Sequence, residues 1–327
     1  HGNWTAPWFR VTAGLSDVAH KNGVKVGCVL SIPWAASVYI DGGNTYSKIF
    51  TKLTERDDND NFKNVDRFVR LLKYYGIDGV GVNSEFHSDY DTMSEFQEFI
   101  AECHKKAEEL GWAFQLHWYD GTNDNGAITF DQGLGSHNKG MFGKAGHVVT
   151  DMMFSNYNTG KGTLQNSAAY AESMGRDPYD YYKGFDIQGR DLSNFYNADW
   201  RNLEGVKASI GFWGAHSQGL IHQSATDYGT SDVAIQKAYL EKQELIFSGA
   251  NRNPANVPAV NGTTTLANAS LKNNFHGVAR FNTAKSTIQT VPFVSRFNLG
   301  NGLKFRSEGK VTFDHKWHNL NTQDILP

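Results

Sequence analysis

The chain has 327 residues, of which 39% are hydrophobic, 13% aromatic and 20% charged. This composition excludes a disordered chain, a collagen-like fibre and a coiled coil, and the length allows one large domain or two ordinary ones. The formal net charge of −3 provides no basic excess and no run approaches 18 apolar residues, so we expect neither a nucleic-acid partner nor a membrane span.

Helical and strand-like patterns alternate over the first third of the chain. The three predicted helix–strand pairs are 12–21 with 24–31, 62–76 with 79–83, and 92–110 with 113–118. Gly23 is expected to close the first helix as a left-handed cap, the second helix ends at Gly76, and the third ends before Gly111. Thr92 and Glu95 are expected to open the third helix as a capping box.

The same alternation continues through the rest of the chain. Further strands are predicted at 148–154, 182–187, 208–213 and 291–297, further helices at 164–174 and 233–247, and a long loop at 251–274. Strands joined by helices predict a parallel α/β fold, and a chain of this length most often closes as a (β/α)8 barrel. The competitor is a doubly wound sheet, but no Gly-x-Gly-x-x-Gly fingerprint follows a strand.

Polar residues at the end of one predicted strand point to a catalytic site. Active sites of such barrels lie where the strands end, and the strand 79–83 runs into Asn83-Ser84-Glu85. The period-2 alternation of a strand puts Asn83 and Glu85 on one face. The carboxyl group of Glu85 could then act as a general acid on a leaving oxygen. The alternative interpretation is that Glu85 caps the following turn and Asn83 bonds to loop backbone.

Aromatic, amide and acidic residues end the other predicted strands. They are Trp34, Trp118, Tyr119, Asn156, Tyr157, Asp186, Trp213 and Asn298. Trp offers a stacking face and Tyr a hydroxyl, so a mouth ringed by these residues indicates a carbohydrate ligand. The alternative for Trp118 and Tyr119 is a barrel wall followed by Asp120 as a helix cap.

The sequence predicts no metal and no cofactor. Its twelve His residues show no paired metal-ligand spacing, and Cys28 and Cys103 are expected to be small buried hydrophobes. No Gly-x-Ser-x-Gly elbow is present, which excludes that class of serine hydrolase.

Taken together, these motifs resemble glycoside hydrolase family 85, the endo-β-N-acetylglucosaminidases that cut the chitobiose core of N-glycans. Residues 19–26 are similar to the family's first-helix signature, and Val82-Asn83-Ser84-Glu85 is similar to its catalytic Asn-x-Glu. Other segments in the family's order are Trp118-Tyr119-Asp120, Gln132 with Asn138, Asn156-Tyr157, Asp186 with Gly189-Arg190, Phe297-Asn298 and Trp317-His318-Asn319-Leu320. A family 18-like chitinase also shares the strand pattern, but Gly81 and Asn83 replace two of its acids.

The resemblance implies substrate-assisted retaining catalysis, in which the substrate's own 2-acetamido oxygen attacks the anomeric carbon. Asn83 and Tyr119 would hold the acetamide, and Glu85 would serve as acid and then base. Phe130 stands where the family usually has Trp, and Asn158 follows Asn-Tyr where consecutive Trp residues are common. Phe130 is still expected to bind substrate, with recognition on the leaving-group side shifted.

The resemblance also implies an organisation and a location. Residues 1–327 would form a single catalytic barrel domain that lacks its first strand and is cut from a longer protein, ending where a β-sandwich linker starts. We expect a monomer that acts on an N-glycan or glycoprotein and is secreted or attached to the cell surface. The alternative function is a glycan-binding barrel that has lost turnover.

Overall fold

The computed structural model describes residues 11–21, 23–30, 51–130, 132–156, 158–186, 200–213, 234, 247–249, 277–281, 291–292 and 301–319. These residues fall into two compact units. The first contains the described residues from Lys25 to Gly184, together with 11–16 and Gly205–Gly211, and the second contains the others.

The described helices and strands are as follows. The helices are α1 (Ala13–Lys21), α2 (Val65–Tyr74), α3 (Tyr90–Glu109), α4 (Lys139–Phe142) and α5 (Lys161–Ser173), with 3-10 turns at Pro178–Asp180, Trp200–Leu203 and Val278–Arg280. The strands are β1 (Gly27–Leu30), β2 (Gly79–Val82), β3 (Gln115–Tyr119), β4 (Gly143–Lys144), β5 (His147–Val148), β6 (Met152–Phe154), β7 (Tyr181–Asp186), β8 (Ser209–Trp213), β9 (Asn301–Ser307) and β10 (Lys310–Asn319).

Six of these strands form one sheet in the order β1-β2-β3-β6-β7-β8. The pairings from β1 through β7 are parallel, and α2 and α3 connect β1 to β2 and β2 to β3. Strand order therefore follows chain order with helices in the crossovers, which is the arrangement of consecutive βα units. A Cβ atom on Gly79 would lie 2.0 Å from the backbone oxygen of Gln115, so the close approach of β2 and β3 requires glycine there. The predicted α/β class is confirmed.

The core of the first unit lies between this sheet and the helices α2 and α3. Val80 and Val82 of β2 are at most 3% exposed and belong to the same apolar cluster as Phe68 of α2 and Phe99 of α3. The rings of Phe68 and Phe99 lie 5.8 Å apart. Since α2 and α3 each place apolar residues at three- and four-residue spacing, one face of each helix covers the sheet. Both cysteines are buried and free, as predicted.

Several predicted boundaries are wrong. Helix α3 begins at Tyr90 rather than at Thr92, because the Asp89 side chain caps it by accepting a 2.8 Å hydrogen bond from the Thr92 backbone N–H. The expected strand 148–154 is two strands, with β5 paired antiparallel to β4 and only β6 in the main sheet.

The C-terminal predictions are only partly covered by the structure. Of the predicted strand 291–297, Val291 and Pro292 are described and form a bend, and the predicted loop 251–274 lies outside the described residues. The antiparallel pair β9–β10 was not predicted. Among the described helices, none combines the length and apolar character that crossing a membrane requires.

Candidate active site

Asn83 and Glu85 lie in the loop that leaves the carboxyl end of β2. Burial alternates along this segment, with Val82, Ser84 and Phe86 buried and Asn83 and Glu85 partly exposed. Val82 pairs with Trp118 of β3, and continuing that parallel register by one residue brings Asn83 beside Tyr119. Neighbouring strands are about 4.8 Å apart, so Asn83 and Tyr119 lie at adjacent strand ends, and Glu85 follows two residues further along the loop.

Tyr119 is the last residue of β3, and it is hydrogen-bonded to a residue that follows β6, the next strand of the sheet. It is 3% exposed, and its hydroxyl oxygen accepts a 2.9 Å hydrogen bond from Nδ2 of Asn156, which follows β6. On its other side, the ring of Phe130 stacks with Tyr119 at 6.2 Å between centroids and 29° between planes. Phe130 remains 43% exposed, so this aromatic surface is open to a ligand.

Trp118 does not offer a stacking face, and the prediction that it binds substrate is wrong. Its side chain is 0% exposed and packs at 6.1 Å from the ring of Phe86 and 6.0 Å from that of Phe96. Because successive strand residues point to opposite faces, Trp118 enters the helix-facing core when Tyr119 faces the site.

The turn after Tyr119 is hydrogen-bonded to the loop that carries Glu85. The Ser84 hydroxyl donates to the backbone oxygen of Tyr119. The Thr122 Oγ1 lies 2.8 Å from the backbone oxygen of Ser84 and 2.7 Å from that of Phe86. A Cβ atom on Gly121 would lie 2.4 Å from the Ser84 oxygen, so glycine lets the two segments approach closely.

Asp120, which lies in the same turn, is hydrogen-bonded to two side chains from other parts of the first unit. Its carboxylate accepts hydrogen bonds from Nδ2 of Asn138 at 2.6 Å and from the hydroxyl of Tyr181 at 3.0 Å. Asp120, Asn138 and Tyr181 are each at most 4% exposed. The Asp120 carboxylate therefore accepts hydrogen bonds from other side chains, which contradicts the alternative interpretation of Asp120 as a helix cap.

His117 lies two residues before Tyr119, on the same face of β3. A Cβ atom on Gly81 of β2 would lie 3.8 Å from the His117 Cβ, so this face continues from β2 to β3. Burial lowers the pKa of His117 to about 4, with the positive charge of Lys25 adding to the shift. His117 is therefore uncharged near neutral pH.

Among the described residues, no three His, Cys, Asp or Glu side chains are grouped so that they could hold a metal ion. The absence of a metal and of a cofactor stays a prediction.

The sequence is similar to a known protein family and to two curated proteins. The model of glycosyl hydrolase family 85 matches residues 11–305, which is most of the chain. The chain belongs to this family. Two curated relatives are each 23% identical over 95% of the chain: the cytosolic endo-beta-N-acetylglucosaminidase 2 of Arabidopsis thaliana and the cytosolic endo-beta-N-acetylglucosaminidase of Danio rerio. The chain spans 37% and 36% of the lengths of these relatives.

A solved structure shows the fold. The glycoside hydrolase domain of Endo-D from Streptococcus pneumoniae R6 is similar with a TM-score of 0.69, at 23% identity, over 96% of the chain and 46% of that structure. Together with the sequential βα sheet, this likeness confirms the predicted (β/α)8 barrel class. The predicted membership in a glycoside hydrolase family is therefore confirmed, and the family 18 alternative is removed.

The expected secretion or surface attachment is wrong. Both curated relatives are named cytosolic enzymes, which contradicts a location inferred from the substrate class alone. The expectations of a monomer, of no nucleic-acid partner and of a single domain over 1–327 stay predictions.

The remaining expected family 85 site residues are covered only in part. Asp186 and Trp213 are the last residues of β7 and β8, and their side chains lie outside the described residues. Trp34, Tyr157 and Asn298 also lie outside the described residues. The predicted roles of these five residues stay predictions.

Sequence reasoning missed two kinds of site residue. His117 alternates with Tyr119 along one strand, so period 2 could have placed it on the site face. Ser84 and Thr122 gave no such signal, because their contacts join segments 38 residues apart in the chain.

Proposed function

We propose that this family 85 chain is an endo-β-N-acetylglucosaminidase that hydrolyses the GlcNAc-β-1,4-GlcNAc bond in the chitobiose core of N-glycans. The names of both curated relatives support the activity. The observation that supports the proposal is the register of β2 and β3, which pairs Val82 with Trp118, so that Asn83 and Glu85 follow one strand end and Tyr119 forms the next.

The proposed reaction is substrate-assisted and retaining. In the first step the carbonyl oxygen of the substrate's 2-acetamido group bonds to the anomeric carbon, and the bond to the leaving oxygen breaks as Glu85 gives that oxygen its proton. The first step leaves the sugar as a cyclic oxazolinium ion. In the second step Glu85 takes a proton from water, whose oxygen bonds to the anomeric carbon as the bond from that carbon to the acetamido oxygen breaks, which restores the acetamide. One GlcNAc stays on the protein substrate.

Asn83 and Tyr119 would hold the acetamide during this reaction. An amide side chain at position 83 suits that task, because it can hydrogen-bond a group that becomes charged in the transition state without attacking the sugar. The Tyr119 hydroxyl is held by Asn156 at 2.9 Å, which supports its use as an oriented hydrogen-bonding group. The exposed ring of Phe130 beside Tyr119 supports a sugar-stacking role on the same side.

The experiment that tests the proposal is mass spectrometry of a high-mannose glycopeptide incubated with the chain or with Glu85→Gln. We expect the chain to leave one GlcNAc on Asn, and the variant to lose about 10²- to 10⁴-fold in rate because its general acid and base is gone. Glu108→Gln is the matched control, since Glu108 is exposed on α3.

The second arm separates the roles of the two residues. Asn83→Ala should slow cleavage of the glycopeptide but spare hydrolysis of a preformed oxazoline donor, because the donor bypasses the step in which the acetamide attacks. Equal rates for the chain and Glu85→Gln would overturn the proposal. An intact glycopeptide that still binds would favour the glycan-binding barrel instead.

A further inference from the structure

We propose that Ser84 and Thr122 form a buried latch that positions Glu85, the acid and base of the function proposed above. Both side chains are 0% exposed. A buried hydroxyl group without a partner is costly, so the bonds that these two hydroxyls make fix the backbone around them. Neither residue is assigned a part in contacting substrate, and the latch acts through Glu85.

The latch holds the backbone on both sides of Glu85. Before it, the Ser84 hydroxyl donates to the Tyr119 backbone oxygen, and the Ser84 backbone oxygen lies 2.8 Å from Thr122 Oγ1. After it, the Phe86 backbone N–H donates to Thr122 Oγ1 at 3.3 Å. The Phe86 oxygen lies 2.7 Å from the same Oγ1, so the single hydroxyl proton is donated to Ser84 or to Phe86 while the oxygen accepts from Phe86.

The latch is tied to the rigid core. The indole Nε1–H of Trp118 donates to the Thr122 backbone oxygen at 3.4 Å, and Trp118 is itself enclosed by Phe86 and Phe96. Because Tyr119 begins the same turn, one element sets the backbone positions of both Glu85 and Tyr119. A general acid has to stand within hydrogen-bond reach of the oxygen it protonates, and a misplacement of about 1 Å can cost 10²-fold in rate.

The test compares three threonine variants in kinetics on the glycopeptide. Thr122→Val removes the hydroxyl at nearly constant volume, Thr122→Ser keeps it, and Thr150→Val is the matched control. Thr150 is also 0% exposed, and its hydroxyl has no partner among the described residues. We expect Thr122→Val to lower kcat about 10- to 100-fold with KM changed less than about twofold. Thr122→Ser should recover most of that rate, and Thr150→Val should match the parent chain.

A double variant shows whether Thr122 works through Glu85. In the Glu85→Gln background, Thr122→Val should lower the residual rate no further, whereas a general loosening of the fold would lower it in both backgrounds. Melting temperatures measured for every variant identify any that do not fold. Ser84→Ala, which removes the other half of the latch, should then give the same kcat loss if Thr122→Val fails to fold.

The outcomes separate the latch from the proposed function. Equal rates for the parent chain and Glu85→Gln contradict the proposed function itself. A large loss in Glu85→Gln with no kcat loss in Thr122→Val or Ser84→Ala overturns the latch alone. The latch is also overturned if Thr122→Ser is as slow as Thr122→Val, or if Thr122→Val lowers the rate equally in the Glu85→Gln background.

Discussion

At the scale of single residues, the hydroxyl of Tyr119 is where two neighbouring strand ends are joined. It accepts a hydrogen bond from Asn156 Nδ2, and Asn156 is 6% exposed. Tyr119→Phe should therefore leave a buried amide N–H without its acceptor, at a cost of about 1–3 kcal/mol. Because this hydroxyl is also proposed to hydrogen-bond the acetamide as charge develops on it, a loss of about 1.5–3 kcal/mol of transition-state stabilisation should lower kcat/KM on the glycopeptide roughly 10- to 100-fold.

A matched substitution separates this effect from the loss of a hydroxyl in general. Tyr74 is 81% exposed at the end of α2, so Tyr74→Phe should leave kcat/KM unchanged. An unchanged kcat/KM in Tyr119→Phe would show that the hydroxyl is not used.

The positions of Asn83 and Glu85 could be predicted from sequence because they depend on local alternation alone. Asn83 and Glu85 follow an apolar strand, and two-residue periodicity puts them on one face. The same rule shows why the prediction that Trp118 binds substrate is wrong. Trp118 and Tyr119 are adjacent in a strand and cannot both face the ligand. The contacts of Thr122 could not be predicted from the sequence, because they depend on how closely the loops after β2 and β3 approach each other.

At the scale of elements, the start of α3 shows how a capping pattern can mislead. Thr92 and Glu95 fit a capping box, yet the helix begins two residues earlier, at Tyr90. Met93 is 0% exposed and lies three residues before Phe96, so it belongs to the apolar stripe of α3. Asp89 is then placed to cap the helix, and its negative charge also suits a helix N-terminus.

The cap makes a prediction about stability. Asp89→Ala should lower the free energy of unfolding by about 1 kcal/mol, because the Thr92 N–H loses its side-chain acceptor. Asp89→Ser should keep most of that stability, since Ser can also accept from the third helical residue. Chemical denaturation measures both, with Asp91→Ala as the control for an exposed carboxylate in the same turn. A loss in Asp91→Ala equal to that in Asp89→Ala would contradict the assignment of Asp89 as the cap.

At the scale of the whole molecule, the order of βα units was predictable but the long-range polar contacts were not. Alternating helix and strand patterns predict parallel neighbours in chain order, which β1, β2 and β3 form. The hydrogen bond from Tyr181 to Asp120 joins residues 61 positions apart. This pairing could not be predicted from the sequence, because the two residues meet only when the sheet brings β7 close to the turn after β3.

The stability of the whole fold should depend on pH through His117. Burial lowers the pKa of His117 to about 4, below the usual value of 6.5, so the unfolded chain binds this proton more readily than the folded one. Both states are uncharged at His117 above pH 6.5. As the pH falls from 6.5 to about 4 only the unfolded state gains the proton, so the folded state loses up to about 3 kcal/mol of stability.

Substituting His117 tests this dependence in unfolding experiments at several pH values. His117→Phe removes the titrating group, so the stability of the parent chain relative to the variant should fall as the pH drops from 7 to 4.5. Burial raises the pKa values of Asp124 and Asp151, which gives the opposite slope, but both groups are present in the two proteins and cancel in the difference. His87→Gln is the control, because His87 is exposed. If the difference between the parent chain and His117→Phe is constant across this range, His117 is protonated in the folded chain as easily as in the unfolded chain.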